Sequence, residues 1–353
     1  MIRYSANCPH LSKLTGNLIH KMQTPPIEKS MVRELSARPA ASHGRVFAGL
    51  AVILLLFGVI AISIDYGSPA KPLPINQSAA VILAQDAFEG ITLSAKSVVV
   101  KDLVSRKILF SKNPDIQLPL ASLTKVALVL AVVESLDPTA IVTIPYDTAP
   151  KGSAERLARG EKWRVKDIVD FTLVASSNSG ADILAAISDK PIREKFANAP
   201  EGEAALWRMN RIAHELGLER TYFLNVNGLD LSSTLSGAYG SARDMAKLFS
   251  HAVATNLPAF SGTSENGLIL TLPNGRGKTS AFNTNEAVGD IPGLIMSKTG
   301  ITDLAGGNLA IVFDVGPAHP VVAVVLGSTR EGRFEDMRAL VSATQQAISQ
   351  AEK

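Results

Sequence analysis

The hydrophobic pattern changes character several times along the chain. Residues 46–64 (VFAGLAVILLLFGVIAISI) are nineteen consecutive positions without a charge. As a helix that run crosses a hydrocarbon layer about 30 Å thick, and a core helix of this length ordinarily carries polar residues on one face. The run is therefore expected to be a transmembrane helix. Residues 65–94 are rich in Pro, Ser, Ala and Gly and read as a spacer, with a short helix fitting only around 79–88. Beyond it, β-branched and aromatic runs at 97–101 and 107–110, separated by a short polar turn, predict a hairpin. A helix is expected from about Ala121, after Pro119, through SLTKVALVLAVVESL to Asp137-Pro138; it is apolar nearly all round and must be buried. Further helical patterns occupy 165–175, 180–188, 203–216 and 241–256. Strand patterns follow at 293–298, 309–313 and 321–326, and a last helix at 334–350. Strands, then helices, then strands and a terminal helix predict an α+β sandwich whose sheet holds both ends of the domain.

Charge and cysteine usage sharpen the N-terminal reading. The chain has 353 residues, 46% hydrophobic and 19% charged, with a net charge of +3. Residues 1–45 carry seven Lys or Arg against Glu28 and Glu34, a surplus of five that leaves about −2 for everything else. The basic balance therefore belongs to the tail and gives no nucleic-acid footprint on a folded domain. By the positive-inside bias residues 1–45 are expected in the cytoplasm and the remainder outside it, in a bacterial cytoplasmic-membrane protein with a single span at 46–64. Cleavage after the small residues Ala61 or Ser63, with translation from Met31, is the rival reading as a signal peptide. The single cysteine, Cys8, lies in the tail, so the exported part is expected to hold no disulfide. His214, His251 and His319 form no metal-binding spacing, and neither a metal nor another cofactor is expected.

Three short motifs occur in order: Ser122-Leu-Thr-Lys125, Ser176-Ser-Asn178 and Lys298-Thr-Gly300. Singly the first two are weak, because Ser68 to Lys71 repeats the first spacing and Ser5/Asn7, Ser111/Asn113 and Ser264/Asn266 repeat the second. Context separates them. Ser68 precedes a proline in the spacer, whereas Ser122 opens an apolar helix, where residues three apart share a face and Lys125 Nζ reaches Ser122 Oγ. The helix N-terminus favours negative charge developing beside the serine. A serine is nucleophilic only once its proton is taken, and a lysine takes it only when burial and nearby positive charge lower its own pKa. Lys298 is the obvious second charge. A serine here could instead simply cap the helix, Ser176 and Asn178 could do the same between two helices, and an edge lysine such as Lys298 could merely guard against aggregation. The ordered trio is what no one of these explains.

With these motifs, the approach PLASLTK, MNRIAHELGL followed by TYFLNVNGLD, SGAYGSARDMAKL, the NTN at 283–285, SKTGITDLAGGNLA and VVAVVLGSTREGRFEDMRAL, the chain resembles the D-alanyl-D-alanine carboxypeptidases similar to low-molecular-weight penicillin-binding proteins. The resemblance covers roughly 95–348 and implies a penicillin-binding-protein/β-lactamase-like α+β fold over 95–350: a mainly antiparallel sheet with flanking helices and a helical subdomain. It implies that Ser122 attacks the carbonyl of the penultimate D-Ala of a peptidoglycan stem peptide, that Lys125 takes its proton, and that β-lactams acylate the same serine. Ser176 would relay the proton to the leaving amine and Asn178 would hold the substrate amide and Lys125. Lys298 would maintain the field, Thr299 would bind the terminal carboxylate with Arg333 (Arg330 the runner-up), and Gly300 would let substrate approach the strand. The N–H groups of Ser122 and Ile301 would form the oxyanion hole. Two departures stand out: Ile301 follows the KTG where relatives often have His or Tyr, and the second β-rich domain and C-terminal amphipathic anchor of many relatives are not expected here, since the sequence stops at Lys353.

Other readings remain at this stage. An endopeptidase cutting peptide crosslinks would use the same residues. A class A β-lactamase would need a glutamate where Thr221 stands, three residues before Leu224-Asn225. A non-enzymatic β-lactam sensor would need an intracellular signalling domain, for which 45 residues are too few.

Overall fold

The computed structural model describes residues 87–145, 157–275 and 277–351. The tail, the apolar run at 46–64, the spacer as far as residue 86 and the Ser68/Lys71 pair lie outside the described residues. No helix among the described residues is long and apolar enough to cross a membrane.

The chain runs through β1 (Ser97–Asp102), β2 (Ile108–Lys112), β3 (Leu118–Pro119), α1 (Thr124–Val133), β4 (Ile141–Thr143), β5 (Lys162–Arg164), α2 (Val165–Val174), α3 (Asn178–Lys195) and α4 (Ala204–Glu215). It continues through β6 (Tyr222–Phe223), β7 (Ala238–Gly240), α5 (Ala242–Phe260), β8 (Gly267–Thr271), β9 (Lys278–Phe282), β10 (Leu294–Thr302), β11 (Gly306–Asp314), β12 (Pro320–Ser328) and α6 (Gly332–Ala351). The main sheet has the order β10-β11-β12-β1-β2, antiparallel throughout. The first and last strands of the domain thus pair at its centre, as the order of elements predicts.

Both faces of this sheet are covered, which explains why β12 reads as a continuous apolar run rather than an alternation. Leu309, Ile311, Val321, Ala323 and Val325 pack with Phe334, Met337 and Leu340 of α6. Ala310, Val312, Val322 and Val324 point the other way, into the larger core that holds Val126 to Val132 of α1. The same smaller core takes in Phe88 and Leu93, which the sequence assigns to the spacer; Phe88 stacks on Phe110 with ring centroids 5.1 Å apart. Packed residues therefore begin earlier than Ala95.

Two helix ends differ from expectation. The pattern ends α3 near Ser188, yet the helix continues through Pro191 to Lys195, with Ile192 buried and Arg193 paired to Asp189 at 2.9 Å. A proline removes one backbone donor, and packing of the next turn offsets that loss. α5 bends at Asn256 (φ −142°), two residues before Pro258, and then resumes to Phe260.

The start of β1 is tied to α6 by one buried carboxylate. Asp336 accepts from Ser94 N and Ala95 N, both at 2.9 Å, and from Ser328 Oγ at 2.7 Å. Replacing it strands two backbone donors, the one at Ala95 buried, and a buried donor left unpaired costs about 1–3 kcal/mol. Asp336→Ala is expected to lower unfolding stability by about 2–4 kcal/mol in urea titration, and a change below 0.5 kcal/mol would show the anchor to be unimportant.

Candidate active site

Ser122 sits on a single 3-10 turn, Ala121–Leu123, that runs straight into α1, rather than on the α-helix itself. That difference matters for reach. At three residues per turn, positions i and i+3 eclipse, so Lys125 lies in line with Ser122. Lys125 Nζ is 2.7 Å from Ser122 Oγ, 2.8 Å from Asn178 Oδ1 and 2.7 Å from the carbonyl of Asn227. The lysine is fully buried.

The second motif is divided between capping and the site. Ser177, between the two motif residues, caps α3 by accepting from Gly180 N at 2.8 Å. Ser176 adopts a left-handed conformation (φ 56°) that turns it away from the helix, and its Oγ accepts from Lys298 Nζ at 2.8 Å. Asn178 opens α3 and faces Lys125. The capping explanation thus holds for Ser177 alone.

The third motif lies inside β10, not at its end, since the strand continues to Thr302. β10 is the sheet's outer strand, as expected, but Lys298 does not guard the edge: it is buried, and its ammonium reaches Ser176 Oγ and the Thr299 carbonyl. Burial pushes the Lys298 pKa well below the usual 10.5, and the positive charges of Lys125 and Arg333 add to the effect. Ser297 N donates away from the sheet to Thr263 Oγ1 at 3.0 Å, so strand alternation points the N–H of Thr299 and Ile301 to the same outer edge. Gly300 also permits a close approach within the fold. A Cβ there would lie 2.8 Å from the Leu120 carbonyl and 3.2 Å from Ser122 N, so the glycine lets the strand approach the nucleophile's turn.

Arg333 is buried and donates through Nη1 to the Gly300 carbonyl at 3.0 Å, while its Nε has no partner among the described residues. Arg330 is exposed. Thr299 Oγ1 lies 2.6 Å from Thr284 Oγ1 of the NTN segment.

Three residues absent from the sequence-derived site complete it. Asn227 contributes a backbone carbonyl, which leaves no side-chain signature; the Asn-Gly pair reads only as a turn. Gly228 (φ 81°) packs so closely on Ala121 that a Cβ would stand 2.0 Å from its carbonyl oxygen. Asn308, wholly buried, donates to the carbonyls of Pro119 and Leu120 at 3.0 and 3.1 Å and accepts from Gly327 N at 2.8 Å, pinning the Ser122 turn to the sheet.

The arrangement brings a hydroxyl against a buried amine, a second hydroxyl against a second buried lysine, and a strand edge with outward-pointing N–H groups beside them. A solved structure of penicillin-binding protein 6B from Escherichia coli superposes with a TM-score of 0.60 at 27% identity, over 73% of this chain and 79% of that one. Penicillin-binding protein D2 from Listeria monocytogenes, in its ampicillin-bound form, gives 0.61 at 25% identity, over 72% and 98%. By sequence the chain is 31% identical over 246 residues to the D-alanyl-D-alanine carboxypeptidase DacF of Bacillus subtilis, covering 68% of this chain and 59% of that protein's length. It is 29% identical over 286 residues to a D-alanyl-D-alanine endopeptidase of Pseudomonas aeruginosa, covering 78% and 80%. The D-alanyl-D-alanine carboxypeptidase family profile matches residues 83–330, and the chain belongs to that family.

Proposed function

We propose that the protein is a serine D-Ala-D-Ala carboxypeptidase that removes the terminal D-Ala from peptidoglycan stem pentapeptides through an acyl-enzyme on Ser122, and that β-lactams acylate the same oxygen. The observation that carries this reading is the set of three contacts at Lys125 Nζ. The Asn227 carbonyl and Asn178 Oδ1 can only accept, so they take two of the amine's hydrogens, and in the deprotonated form that acts as base the lone pair faces the Ser122 hydroxyl. The proton of Ser122 passes to Lys125 as Oγ attacks the carbonyl carbon of the penultimate D-Ala. The N–H groups of Ser122 and Ile301 receive the developing oxyanion. Ser176, whose oxygen is held by Lys298, keeps its own hydrogen for the leaving amine, and Lys125 restores it. D-Ala departs, and water then hydrolyses the ester. Thr299 and Arg333 grip the terminal carboxylate of the substrate.

A β-lactamase reading finds no base where it needs one. The Thr221 hydroxyl at that position donates to Asp244 at 3.0 Å. An endopeptidase cutting D-Ala crosslinks is the second reading, favoured by the relative of that name that is matched over most of its length. Residues 46–64 hold the protein in the bacterial cytoplasmic membrane, with the catalytic domain outside.

Purified protein is expected to release free D-Ala from a pentapeptide muropeptide in a mass-spectrometric assay and to label with a fluorescent penicillin. Ser122→Ala should abolish labelling, and Lys125→Ala should lower it to a comparable degree. Labelling that survives Ser122→Ala would sink the assignment. Faster cleavage of a crosslinked dimer than of the pentapeptide would move the activity to endopeptidase.

The depressed pKa of Lys298 gives a prediction about stability. Between its folded pKa and 10.5 the unfolded chain holds the additional proton, so Lys298 makes stability rise with pH across that window. Below the folded pKa the buried charge is a constant cost. Lys298→Met is therefore expected to raise unfolding stability at neutral pH by about 1–4 kcal/mol while suppressing penicillin labelling. The advantage should shrink as pH approaches 10.5. Thermal melts at pH 7 and pH 10 test it, and a variant less stable than wild type at pH 7 would contradict it.

For topology, protease added to intact spheroplasts should degrade the catalytic domain and leave a membrane-embedded N-terminal fragment. A soluble active species beginning near residue 64 would show instead that the apolar run is a cleaved signal.

A further inference from the structure

The hydroxyls of Thr284 and Thr299 lie 2.6 Å apart, and between them they hold two hydrogens. One hydrogen fills the contact and the other is left to point elsewhere. If Thr299 donates to Thr284, Thr299 presents only lone pairs and repels an anion. In the opposite orientation Thr284 donates to Thr299, and Thr299 gives its own hydrogen outward. An anionic ligand at Thr299 therefore selects the second orientation.

Thr284 is held where it can do this. Its backbone N–H donates to the Val174 carbonyl, at the last residue of α2 and two before Ser176, at 3.1 Å. The preceding Asn283 side chain donates to the carbonyls of Thr263 at 3.0 Å and Glu265 at 2.8 Å, and its Oδ1 accepts from Asn285 N at 2.8 Å. Thr263 in turn accepts from Ser297 of β10. Thr284 is thus fixed from both sides: its main chain is bonded to the helical segment that delivers Ser176, and its hydroxyl to the strand that delivers Lys298 and Thr299.

We propose that Thr284 is a positioning residue for recognition of the substrate's terminal carboxylate, acting by donating to Thr299 so that the Thr299 hydroxyl donates to the carboxylate. The inference rests on the carboxypeptidase reading and goes beyond it. Thr284 makes the preference for a free carboxyl terminus depend on a residue outside the three motifs. The chain of two hydroxyls also strengthens the outer bond, because each donor polarises the next.

Thr284→Val keeps the shape and the backbone bond to Val174 and removes only the hydroxyl. On a pentapeptide ending in free D-Ala, the full-length variant is expected to lose about tenfold in kcat/KM, mostly through a higher KM, the upper size of the one neutral hydrogen bond that holds the Thr299 hydroxyl in its donating orientation. On the same peptide with an amidated terminus it should match wild type, and Thr284→Ser should restore the free-acid rate. Equal losses on both substrates, or a fall in kcat alone, would make Thr284 a structural residue and overturn the proposal. So would wild-type rates on the free acid. A wild type that neither labels with penicillin nor releases D-Ala would overturn the carboxypeptidase reading itself, a result distinct from an active wild type indifferent to Thr284.

Discussion

A fully buried amine must have its hydrogens accepted, and Lys125 meets that requirement with groups from three separate segments. Ser122 comes from the turn before α1, Asn178 from the start of α3, and the Asn227 carbonyl from the loop before β7. The Asn178 and Asn227 oxygens accept from it and Ser122 Oγ stands 2.7 Å away, so this nitrogen fixes the meeting point of the three. Asn227 is itself braced: its side chain donates to Asp182 at 2.9 Å and accepts from Leu229 N at 3.0 Å. Asp230, three residues on, accepts from the Thr302 hydroxyl at 3.0 Å and from Leu304 N at 3.2 Å, which ties the loop to the end of β10. The base and the strand edge beside it are thereby placed by one continuous set of hydrogen bonds.

Close backbone approach is the second condition, and glycine meets it at two points. Gly228 lies against the Ala121 carbonyl and Gly300 against the Leu120 carbonyl and Ser122 N, so the nucleophile's turn is clamped between a loop and a strand with no side chain to spare on either. Ala121 itself has a positive φ of 48°. For an alanine that conformation costs about 1–2 kcal/mol, and it survives because Asn308 holds the Leu120 carbonyl before it and the Thr124 hydroxyl donates to its own carbonyl at 2.7 Å. Backbone strain sits directly beside the serine oxygen whose direction it sets.

How much of this the sequence discloses depends on what kind of group acts. The hairpin of β1 and β2, the apolar α1, the late strands and the terminal α6 are legible because their apolar positions follow a helix or strand period. The lysines, serines and Asn178 are legible because their side chains act and their spacing is short. Asn227 works through its carbonyl and Gly228 through a missing Cβ, and neither leaves a side-chain pattern. Asn308 lies nearly two hundred residues from the turn it pins, so only the β10–β11–β12 register brings them together. The 3-10 start of α1 and the continuation of α3 past Pro191 were hidden for another reason: tertiary packing overrides local preference at helix ends.

The site also explains why its residues look wrong by ordinary folding rules. Two lysines are buried in the same site, one with its pKa driven down by that burial and further by the other's charge, and two non-glycine residues, Ala121 and Ser176, take left-handed backbone conformations. Each feature lowers stability, and each has a chemical counterpart. Burial holds the Lys298 nitrogen against Ser176 away from water, where electrostatic interactions are less screened. The turn at Ser176 frees its hydroxyl from the helix cap that Ser177 fills instead. A sequence optimised only for stability would replace Lys298 with an apolar residue and Ala121 with glycine. That this chain keeps them, inside a sheet otherwise packed with Val, Leu and Ile on both faces, is what separates a reactive cleft from the core around it.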